Sequence, residues 1–600
     1  MRRTFSVSLM GFCVISFLWG QSRWGDIRSL FRRDVGTHYS IPNYRSLDEW
    51  RIRRAHLRTQ ILTAAGLQPM LPKSALHARR FDSLDKGSFV VEKVLLETIP
   101  GYFLGGNLYL PKNMDGKKVP AVLVPHGHWK NGRIHDASDY SVPALCANLA
   151  AQGYAAFAYD MVGYNDTRQT SHTFGKSEQE QAWGFSSLGL QLWNSIRSLD
   201  FLQSLPMVDP SRIAVTGASG GATQSLLLAA VDDRLQASVP VCMVSATFQG
   251  DCTCEEAPGL RLGTNNMEIA ALMAPKPMLL LSSKKDWTRR TPEEEYPAIQ
   301  TIYRLYGQPD AVSSIQIDSG HNYNRKSREE AYRFLFNVLK PDIPYSAARE
   351  NIQVKFRPQD LLVGALPANL HPLSQEEVFA SWRELSRQGV KELTDPEASR
   401  LLSATVGATW PRRVDAIQAG QLILLERAGS GERVPARWSQ GRTRETALLI
   451  DPSGSEAARR SRSASQFLSR GASMLTVDVY QTGIAQSPGV SCDRACLTFQ
   501  RSDDANRVSD ILTALSYLNS TRPSRITMSC SGKAGSWCVV AAAVTPSTVP
   551  LHVDLLDPEI AALNDQPSPL FIPGLERAGG MQQVLRLIRA NHQLRIETAD

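Results

Sequence analysis

Short apolar runs alternate with stretches of helical spacing along much of the chain, and this alternation predicts its fold class. Between positions 89 and 339 the apolar runs are three to eleven residues long, as strands buried in a sheet are. Strands that alternate with helices predict an α/β fold, with a mostly parallel sheet flanked by helices. The predicted strands are 89–99, 102–110, 120–124, 154–159, 213–215, 237–243, 277–281 and 313–317.

Helices are predicted from apolar stripes and from capping residues. Apolar residues recur every three or four positions over 188–202, as on one face of an amphipathic helix. A second amphipathic run, 46–65, begins at Ser46. Ser327 and Glu330 have the spacing of a capping box, which predicts the start of the closing helix of this region.

One strand-to-helix junction has the composition of a nucleophile elbow. Gly217-Ala218-Ser219-Gly220-Gly221 lies between the strand 213–215 and a helical run, 222–231. A tight bend there leaves no room for a Cβ at Gly217 or Gly221. We expect it to expose the Ser219 hydroxyl as a nucleophile and to direct the Gly220 N–H at an oxyanion.

A serine nucleophile needs a base, and the base needs an orienting carboxylate. His321 follows the last predicted strand in a Gly-His turn, and Asp286 follows the strand before it. Ser219, Asp286, His321 is the chain order of α/β-hydrolase triads. Gly-His and Lys-Asp turns are common on protein surfaces, so the joint placement carries the prediction. If Asp286 points away from His321, Glu255 or Glu256 would be the orienting acid in its place.

The segment His126-Gly127-His128-Trp129 leaves the strand 120–124 and predicts the second oxyanion donor, the backbone N–H of His128. Binding of a metal by His126 and His128 would need further ligands, and no such ligands lie nearby in the sequence, so we expect no metal and no cofactor. His126 is then a hydrogen-bonded structural residue. Trp129 and Trp287 either line the substrate pocket or pack in the core.

The pattern begins again in the second half of the chain. The segment 447–454 aligns with 121–128, and 526–544 aligns with 213–231 without a gap. These matches predict a second, degenerate copy of the α/β sheet. Its chemistry is lost, because in this register Gly532 stands where Ser219 does and Ala534 where Gly221 does. Ser531 lies one position before the residue that aligns with Ser219.

The end of the second copy is predicted from a shorter match. The run 569–572 aligns with the strand 277–280, which assigns a strand to 569–572. Ala578 then falls at the position of Asp286, so this copy would have no triad acid. We expect it to serve as structural support; capping the catalytic cleft, polymer binding and dimerisation stay open.

Several segments of the first half together resemble the α/β-hydrolases known as acetyl xylan esterase-like, a group related to dienelactone hydrolases. The resemblance lies in the segments 106–111, 126–129, 217–221, 254–258, 265–269, 285–288 and 320–323. It implies an α/β-hydrolase fold over roughly 89–339 and a secreted serine esterase that deacylates carbohydrate or related esters. Members of such superfamilies share a scaffold and differ in substrate, so the resemblance does not define the ester.

The N-terminus and the composition bear on location and partners. Arg2 and Arg3 precede an apolar run, 5–19, and predict a signal peptide with its cleavage site after Gly20, hence a secreted or periplasmic protein; an uncleaved anchor is the alternative. A net charge of +8 from scattered basic residues does not favour nucleic-acid binding. The expected partner is a small-molecule or carbohydrate ester, with no membrane contact beyond the signal peptide and no defined oligomeric state.

Nine cysteines in 600 residues are too few for a disulfide framework. Cys530 could pair with Cys538, and Cys492 with Cys496. Cys252 and Cys254 are too close in sequence for an unstrained bridge with each other.

A chain of 600 residues exceeds what one hydrophobic core supports, so we expect more than one domain. The predicted parts are a signal peptide (1–20), a helical lead-in (21–88), a catalytic α/β-hydrolase domain (89–345), a linker with the start of the second domain (346–440) and a degenerate α/β-hydrolase-like domain (441–600). The leading hypothesis is a secreted serine hydrolase that cleaves carboxylic esters through an acyl-enzyme. The alternatives are a prolyl-peptidase-like serine peptidase and a non-catalytic carbohydrate-binding protein.

Overall fold

The computed structural model describes residues 25–114, 116–342, 350–487, 494–521, 523–555 and 569–596. The chain divides into two compact units. The Ser219 unit is Asp34–Gly389, and the C-terminal unit comprises the described parts of Met1–Arg33 and Val390–Asp600. The predicted signal peptide lies outside the described residues. Within the described residues, no helix is both long enough and apolar enough to cross a membrane.

The sheet of the Ser219 unit has the predicted α/β architecture. Its strands are β1 (Arg79–Asp85), β2 (Phe89–Ile99), β3 (Tyr102–Pro111), β4 (Val119–Pro125), β5 (Ala155–Tyr159), β6 (Val208–Ala218), β7 (Ala237–Val241), β8 (Met278–Ser283) and β9 (Val312–Ile317). They are arranged in the order β1-β2-β3-β5-β4-β6-β7-β8-β9. The first three pair antiparallel, and β4 to β9 form a parallel sheet. The eight predicted strands are therefore present.

Helices cover the sheets of both units. They are α1 (Ile27–Leu30), α2 (Leu47–Ala64), α3 (Val142–Ala151), α4 (Glu178–Ala182), α5 (Ser187–Ser204), α6 (Gly220–Val231), α7 (Asn266–Ala271), α8 (Glu295–Leu305), α9 (Arg325–Leu339), α10 (Pro358–Leu361), α11 (Gln375–Lys391), α12 (Asp395–Val406), α13 (Ser455–Arg460), α14 (Arg462–Ser469), α15 (Asp503–Ser520), α16 (Ala534–Val544) and α17 (Gly580–Asn591).

The centre of the Ser219 unit is β4 and β7 with the helix α6 packed over them. Every residue of these three elements is buried, which explains their near-continuous apolar sequences. The carboxyl ends of parallel strands lie along one edge of a sheet, and reactive groups in open α/β sheets collect there. The loops that follow β4, β5, β7, β8 and β9 therefore share one edge.

Two details of the Ser219 unit differ from the sequence prediction. The strand β1 was not predicted, because its sequence is mostly polar; it lies at the sheet edge, where half-exposed side chains are tolerated. The prediction that Ser327 and Glu330 form a capping box is wrong. The helix α9 begins at Arg325, and the side chain of Asn324 accepts the N–H of Ser327 at 3.1 Å.

The C-terminal unit repeats the topology of the Ser219 unit. Its strands are β10 (Val414–Ala419), β11 (Leu422–Arg427), β12 (Arg433–Ser439), β13 (Glu445–Ile450), β14 (Ser473–Val477), β15 (Arg525–Cys530), β16 (Leu551–Leu555) and β17 (Gln593–Ile596). Their order, β10-β11-β12-β14-β13-β15-β16-β17, matches the first eight positions of the other sheet. The prediction of a second α/β domain of similar topology is confirmed.

The strand assigned to 569–572 in this copy is wrong, and so is the alignment of Ala578 with Asp286. Residues 569–572 belong to no strand, and Ala578 precedes α17. The strand next to β16 is β17, which follows α17. A run of four apolar residues was too short to distinguish a strand from a buried turn.

A disulfide bond joins Cys530, at the end of β15, to Cys538 in α16, as predicted. The other predicted pair involves Cys492, which lies outside the described residues. The Cys530–Cys538 bond links strand and helix across the bend that corresponds to the Ser219 bend of the first unit.

Candidate active site

Ser219 occupies a strained bend between β6 and α6. Its backbone has φ 58° and ψ −125°, a conformation that residues other than glycine rarely adopt. The Ser219 N–H donates to the carbonyl of Val241 at 3.0 Å, which ties the bend to the end of β7. Such strain costs on the order of 1–3 kcal/mol and persists where the surrounding packing determines the backbone.

The glycines on either side of the bend allow the backbones to approach. A Cβ on Gly217 would lie 2.5 Å from the Pro125 carbonyl oxygen, and a Cβ on Gly221 would lie 2.3 Å from the same atom. Both distances are far below van der Waals contact with a backbone atom that cannot move independently. The close approach inferred from the sequence is thus present, with the end of β4 as the neighbour.

Asp286 and His321 form a hydrogen-bonded pair at the ends of β8 and β9. The distance from His321 Nδ1 to Asp286 Oδ2 is 3.0 Å. The other carboxylate oxygen, Oδ1, accepts the backbone N–H of Thr288 at 2.7 Å and its hydroxyl at 2.6 Å. Burial raises the pKa of Asp286, but the hydrogen bonds from His321 and Thr288 outweigh it, so the pKa stays below its usual value. The pair keeps an ionised carboxylate against the imidazole.

Two tryptophan rings pack against the imidazole of His321. The Trp129 ring stacks on it with centroids 5.7 Å apart and planes 6° apart, and the Trp287 ring lies 4.5 Å away. Trp129 Nε1 donates to Asp139 at 2.7 Å. Because Nδ1 of His321 faces Asp286, its Nε2 is the nitrogen left to act as a base.

The loop that carries Trp129 connects the base to the bend. A Cβ on Gly127 would lie 3.0 Å from the Ser219 Cβ and 2.6 Å from an atom of the Trp129 ring. Since Trp129 stacks on His321, the loop after β4 contacts both the Ser219 bend at the end of β6 and the imidazole at the end of β9.

The same loop covers the N-terminus of α6. A Cβ on Gly220 would lie 2.8 Å from His128 Cε1, so the imidazole of His128 is adjacent to the first residue of the helix. His126 Nε2 accepts the N–H of Met161 at 2.9 Å. His126 is fully buried, and burial lowers its pKa to about 3. This neutral, hydrogen-bonded histidine fixes the backbone from which His128 emerges.

Glu255 and Glu256, the substitute acids, do not take the place of Asp286. Glu255 Oε1 accepts the Thr223 hydroxyl at 3.4 Å, and its Oε2 accepts the Asp251 N–H at 3.2 Å. Burial raises the pKa of both glutamates, that of Glu256 to about 7.

A second cluster of reactive side chains, not expected from the sequence, lies beside the bend. His128, His172, Cys252 and Cys254 place one nitrogen or sulfur atom each within 4.8 Å of one another. The sequence around His126 and His128 offers no further ligands, because His172 and the cysteines are far away along the chain. The sequence signal was the Cys252-Thr253-Cys254 pair, which cannot bridge to itself without strain.

The chain is similar to several known proteins. Residues 81–253 match the family model for acetyl xylan esterase. "Putative hydrolase YtaP" of Bacillus subtilis (strain 168) is 29% identical over 310 residues, which make up 47% of this chain and 98% of that protein.

Solved structures that resemble the chain include esterases. Methylesterase BT1017 is 25% identical with a TM-score of 0.46, covering 60% of this chain and 78% of its own. A glucuronoyl esterase from Solibacter usitatus is 14% identical with a TM-score of 0.38, covering 50% of this chain and 97% of its own.

The fold and the family match confirm the resemblance predicted from the sequence: the unit that contains Ser219 has an α/β-hydrolase sheet and is similar to acetyl xylan esterases over residues 81–253. The predicted enzyme class, a carboxylic ester hydrolase, is confirmed by the same match.

We predict that Gly221→Ala destabilises the Ser219 unit by about 1 to 3 kcal/mol, because the new methyl group would overlap the Pro125 carbonyl. Calorimetric unfolding of the full chain would measure the shift in the transition of this unit. Gly36→Ala is the control, since a Cβ there meets nothing closer than 3.8 Å. Equal transition temperatures for the two variants would contradict the close approach.

We also predict a pH dependence from the lowered pKa of Asp286. A carboxyl whose pKa is lower in the folded chain than in the unfolded chain adds stability above its unfolded value, 3.8 here, and loses it as pH falls through the folded value. The free energy of unfolding of the wild type should therefore exceed that of Asp286→Asn most at neutral pH, with the difference shrinking below about pH 4. Urea titrations at several pH values test this, and a difference that grows towards low pH would contradict it.

Proposed function

We propose that the protein is an exported serine esterase that removes acetyl or related acyl groups from carbohydrates. The observation that carries the proposal is the Asp286–His321 pair beside the strained Ser219 bend. A carboxylate that orients an imidazole beside a serine hydroxyl is the arrangement that activates a serine.

The reaction proceeds through an acyl-enzyme. Ser219 Oγ attacks the ester carbonyl carbon while His321 Nε2 takes its proton. Asp286 holds the resulting imidazolium. The C–O bond to the alcohol then breaks, and His321 returns the proton to the departing alcohol oxygen. Water repeats the attack on the acyl-Ser219 ester with His321 as the base, which releases the acid and restores the serine without a cofactor.

The tetrahedral intermediate carries its negative charge on the former carbonyl oxygen. The N–H of Gly220, in the first turn of α6, has no partner within the helix and faces this charge. The backbone N–H of His128 is the second donor in the proposal, and the contact between the His128 ring and Gly220 supports it. Removing one such donor typically costs 10²- to 10³-fold in kcat, on the order of 3–4 kcal/mol.

Trp287 supports a carbohydrate as the alcohol part of the substrate. Its ring is partly exposed beside His321, although its Nε1 is buried. A partly exposed aromatic face suits a sugar, whose C–H groups can pack against the ring. Trp129 has its Nε1 bonded to Asp139, and we assign it mainly to positioning His321.

Export is supported by the Cys530–Cys538 disulfide and by the predicted signal peptide, because disulfides persist in oxidising compartments. A secreted or periplasmic location would place the enzyme where acetylated polysaccharides are degraded.

For the C-terminal unit we propose a non-catalytic role. Gly532 has φ 50° at the position of Ser219, so the bend is kept while the nucleophile is absent. The neighbouring Ser531 donates its hydroxyl to Asp451 at 2.6 Å.

We predict that Ser219→Ala lowers kcat at least 10³-fold for an aryl acetate and for acetylated xylo-oligosaccharides, because no other group supplies the nucleophile. Ser531→Ala is the matched control and should retain wild-type turnover. A fluorophosphonate probe should label the wild type once, at Ser219. Labelling at Ser531, or full turnover by Ser219→Ala, would refute the assignment, and faster cleavage of amides than of esters would favour the peptidase alternative.

We predict that Asp286→Asn lowers kcat by about 10⁴-fold, because an amide cannot hold the imidazole in the required tautomer or balance its charge. Asp318→Asn is the control. Asp318 lies in the turn before His321, is exposed and pairs with Lys285 at 3.2 Å. Steady-state kinetics on an aryl acetate decide the point, and equal losses in the two variants would overturn the role of Asp286.

A further inference from the structure

The cluster of His128, His172, Cys252 and Cys254 lies where three loops meet at the carboxyl edge of the sheet. His128 follows β4, His172 lies between β5 and α4, and the two cysteines lie between β7 and α7. Each histidine contacts one cysteine. His128 Nε2 is 3.0 Å from Cys254 Sγ, and Cys252 Sγ is 3.4 Å from His172 Nε2.

These separations fit the edges of a metal-centred tetrahedron. Zinc binds thiolate sulfur at about 2.3 Å and imidazole nitrogen at about 2.0–2.1 Å, so ligand atoms in a tetrahedral site lie roughly 3.3–3.8 Å apart. The four ligand atoms are all within 4.8 Å of one another. Only shifts of a few tenths of an ångström to about one ångström separate the observed positions from such a site. Two thiols and two imidazoles are also the donor set of structural zinc sites.

The hydrogen bonds around His172 prepare it as a ligand. Its Nδ1 lies 2.7 Å from the backbone carbonyl of Val162, which can only accept, so Nδ1 carries the proton. The lone pair of Nε2 is then directed at Cys252. Metal-bound histidines usually donate their second nitrogen to a carbonyl or carboxylate in this way, which fixes both tautomer and ring orientation.

The loop of the two cysteines is anchored independently of the cluster. Arg261 is buried, and its Nη1 donates to the Glu255 carbonyl at 2.8 Å, directly after Cys254. Both cysteines are free thiols in the structure. Two free thiols beside two imidazoles form a complete set of four metal-binding donors.

We propose that His128, His172, Cys252 and Cys254 bind one zinc-like divalent cation in a closed, four-coordinate site. With all four positions taken by protein, the ion has no place for substrate and is structural. It would tie the loops after β4, β5 and β7 together beside Ser219. The proposal stands apart from the esterase reaction, which uses none of the three residues His172, Cys252 and Cys254.

The metal content of the full chain tests the site directly. Protein produced with added zinc and purified without chelator should contain about one zinc ion per chain by mass spectrometry of the elements. Cys252→Ser and His172→Gln should lose most of it. Cys146→Ala, at a buried free cysteine in α3, and His56→Gln, at an exposed histidine in α2, are matched controls and should keep it.

A second measurement covers the outcome in which the ligand variants do not fold. Wild-type chain stripped of zinc should take up Co²⁺ with the intense absorption of a thiolate–cobalt bond, and zinc should protect two thiols from a chromogenic thiol reagent. Absence of zinc from the wild type together with no thiolate–cobalt absorption would overturn the proposal. So would equal zinc in the ligand variants and the controls, or a Cys252–Cys254 disulfide in the purified wild type.

Discussion

The close approach of strand β4 to the beginning of helix α6 is the constraint on which the rest of the Ser219 unit depends. The Pro125 carbonyl leaves no space for a Cβ at Gly217 or Gly221, so only glycine permits the helix to begin directly against the sheet. Of the three residues between these glycines, Ser219 is the one with a positive φ. Helix α6 is buried along its whole length, and this packing prevents the bend from relaxing.

The C-terminal unit separates what the fold requires at this bend from what the chemistry requires. The same strand order and the same positive φ recur, but the bend residue is Gly532, which adopts this conformation without strain. A disulfide from Cys530 to Cys538 joins the strand and helix there. The bend thus belongs to the fold. A serine at the bend is costlier than a glycine, and the Ser219 unit retains it, which is what a functional constraint would produce.

Much of the fold and of the candidate active site could be predicted from the sequence because the relevant signals are local. A five-residue motif defines the bend at Ser219, and Asp286 and His321 each follow an apolar strand within a few residues. The polar edge strand β1 carried no such signal, because its stability comes from its pairing with β2 rather than from an apolar pattern. Likewise, four apolar residues at 569–572 could not be distinguished from a buried turn.

The histidine–cysteine cluster escaped prediction for a different reason. The ligand spacing of familiar zinc motifs reflects one or two short loops, whereas this cluster draws on three loops separated by whole strands and helices. Only the sheet order, which brings β5, β4, β6 and β7 side by side, makes the ends of those loops neighbours.

The position of His128 connects the cluster to the proposed chemistry. Its ring lies against Cys254 on one side and against Gly220 on the other, while its backbone N–H is the proposed second donor to the oxyanion. An oxyanion hole is effective only if its donors are held in place before the charge develops. His126, buried and bonded to the Met161 N–H, holds the start of this loop, and Trp129, packed on His321, holds its end. The side chain of His128, in the middle of this loop, lies in the cluster. A cation bound there would therefore hold the His128 part of the loop through its side chain.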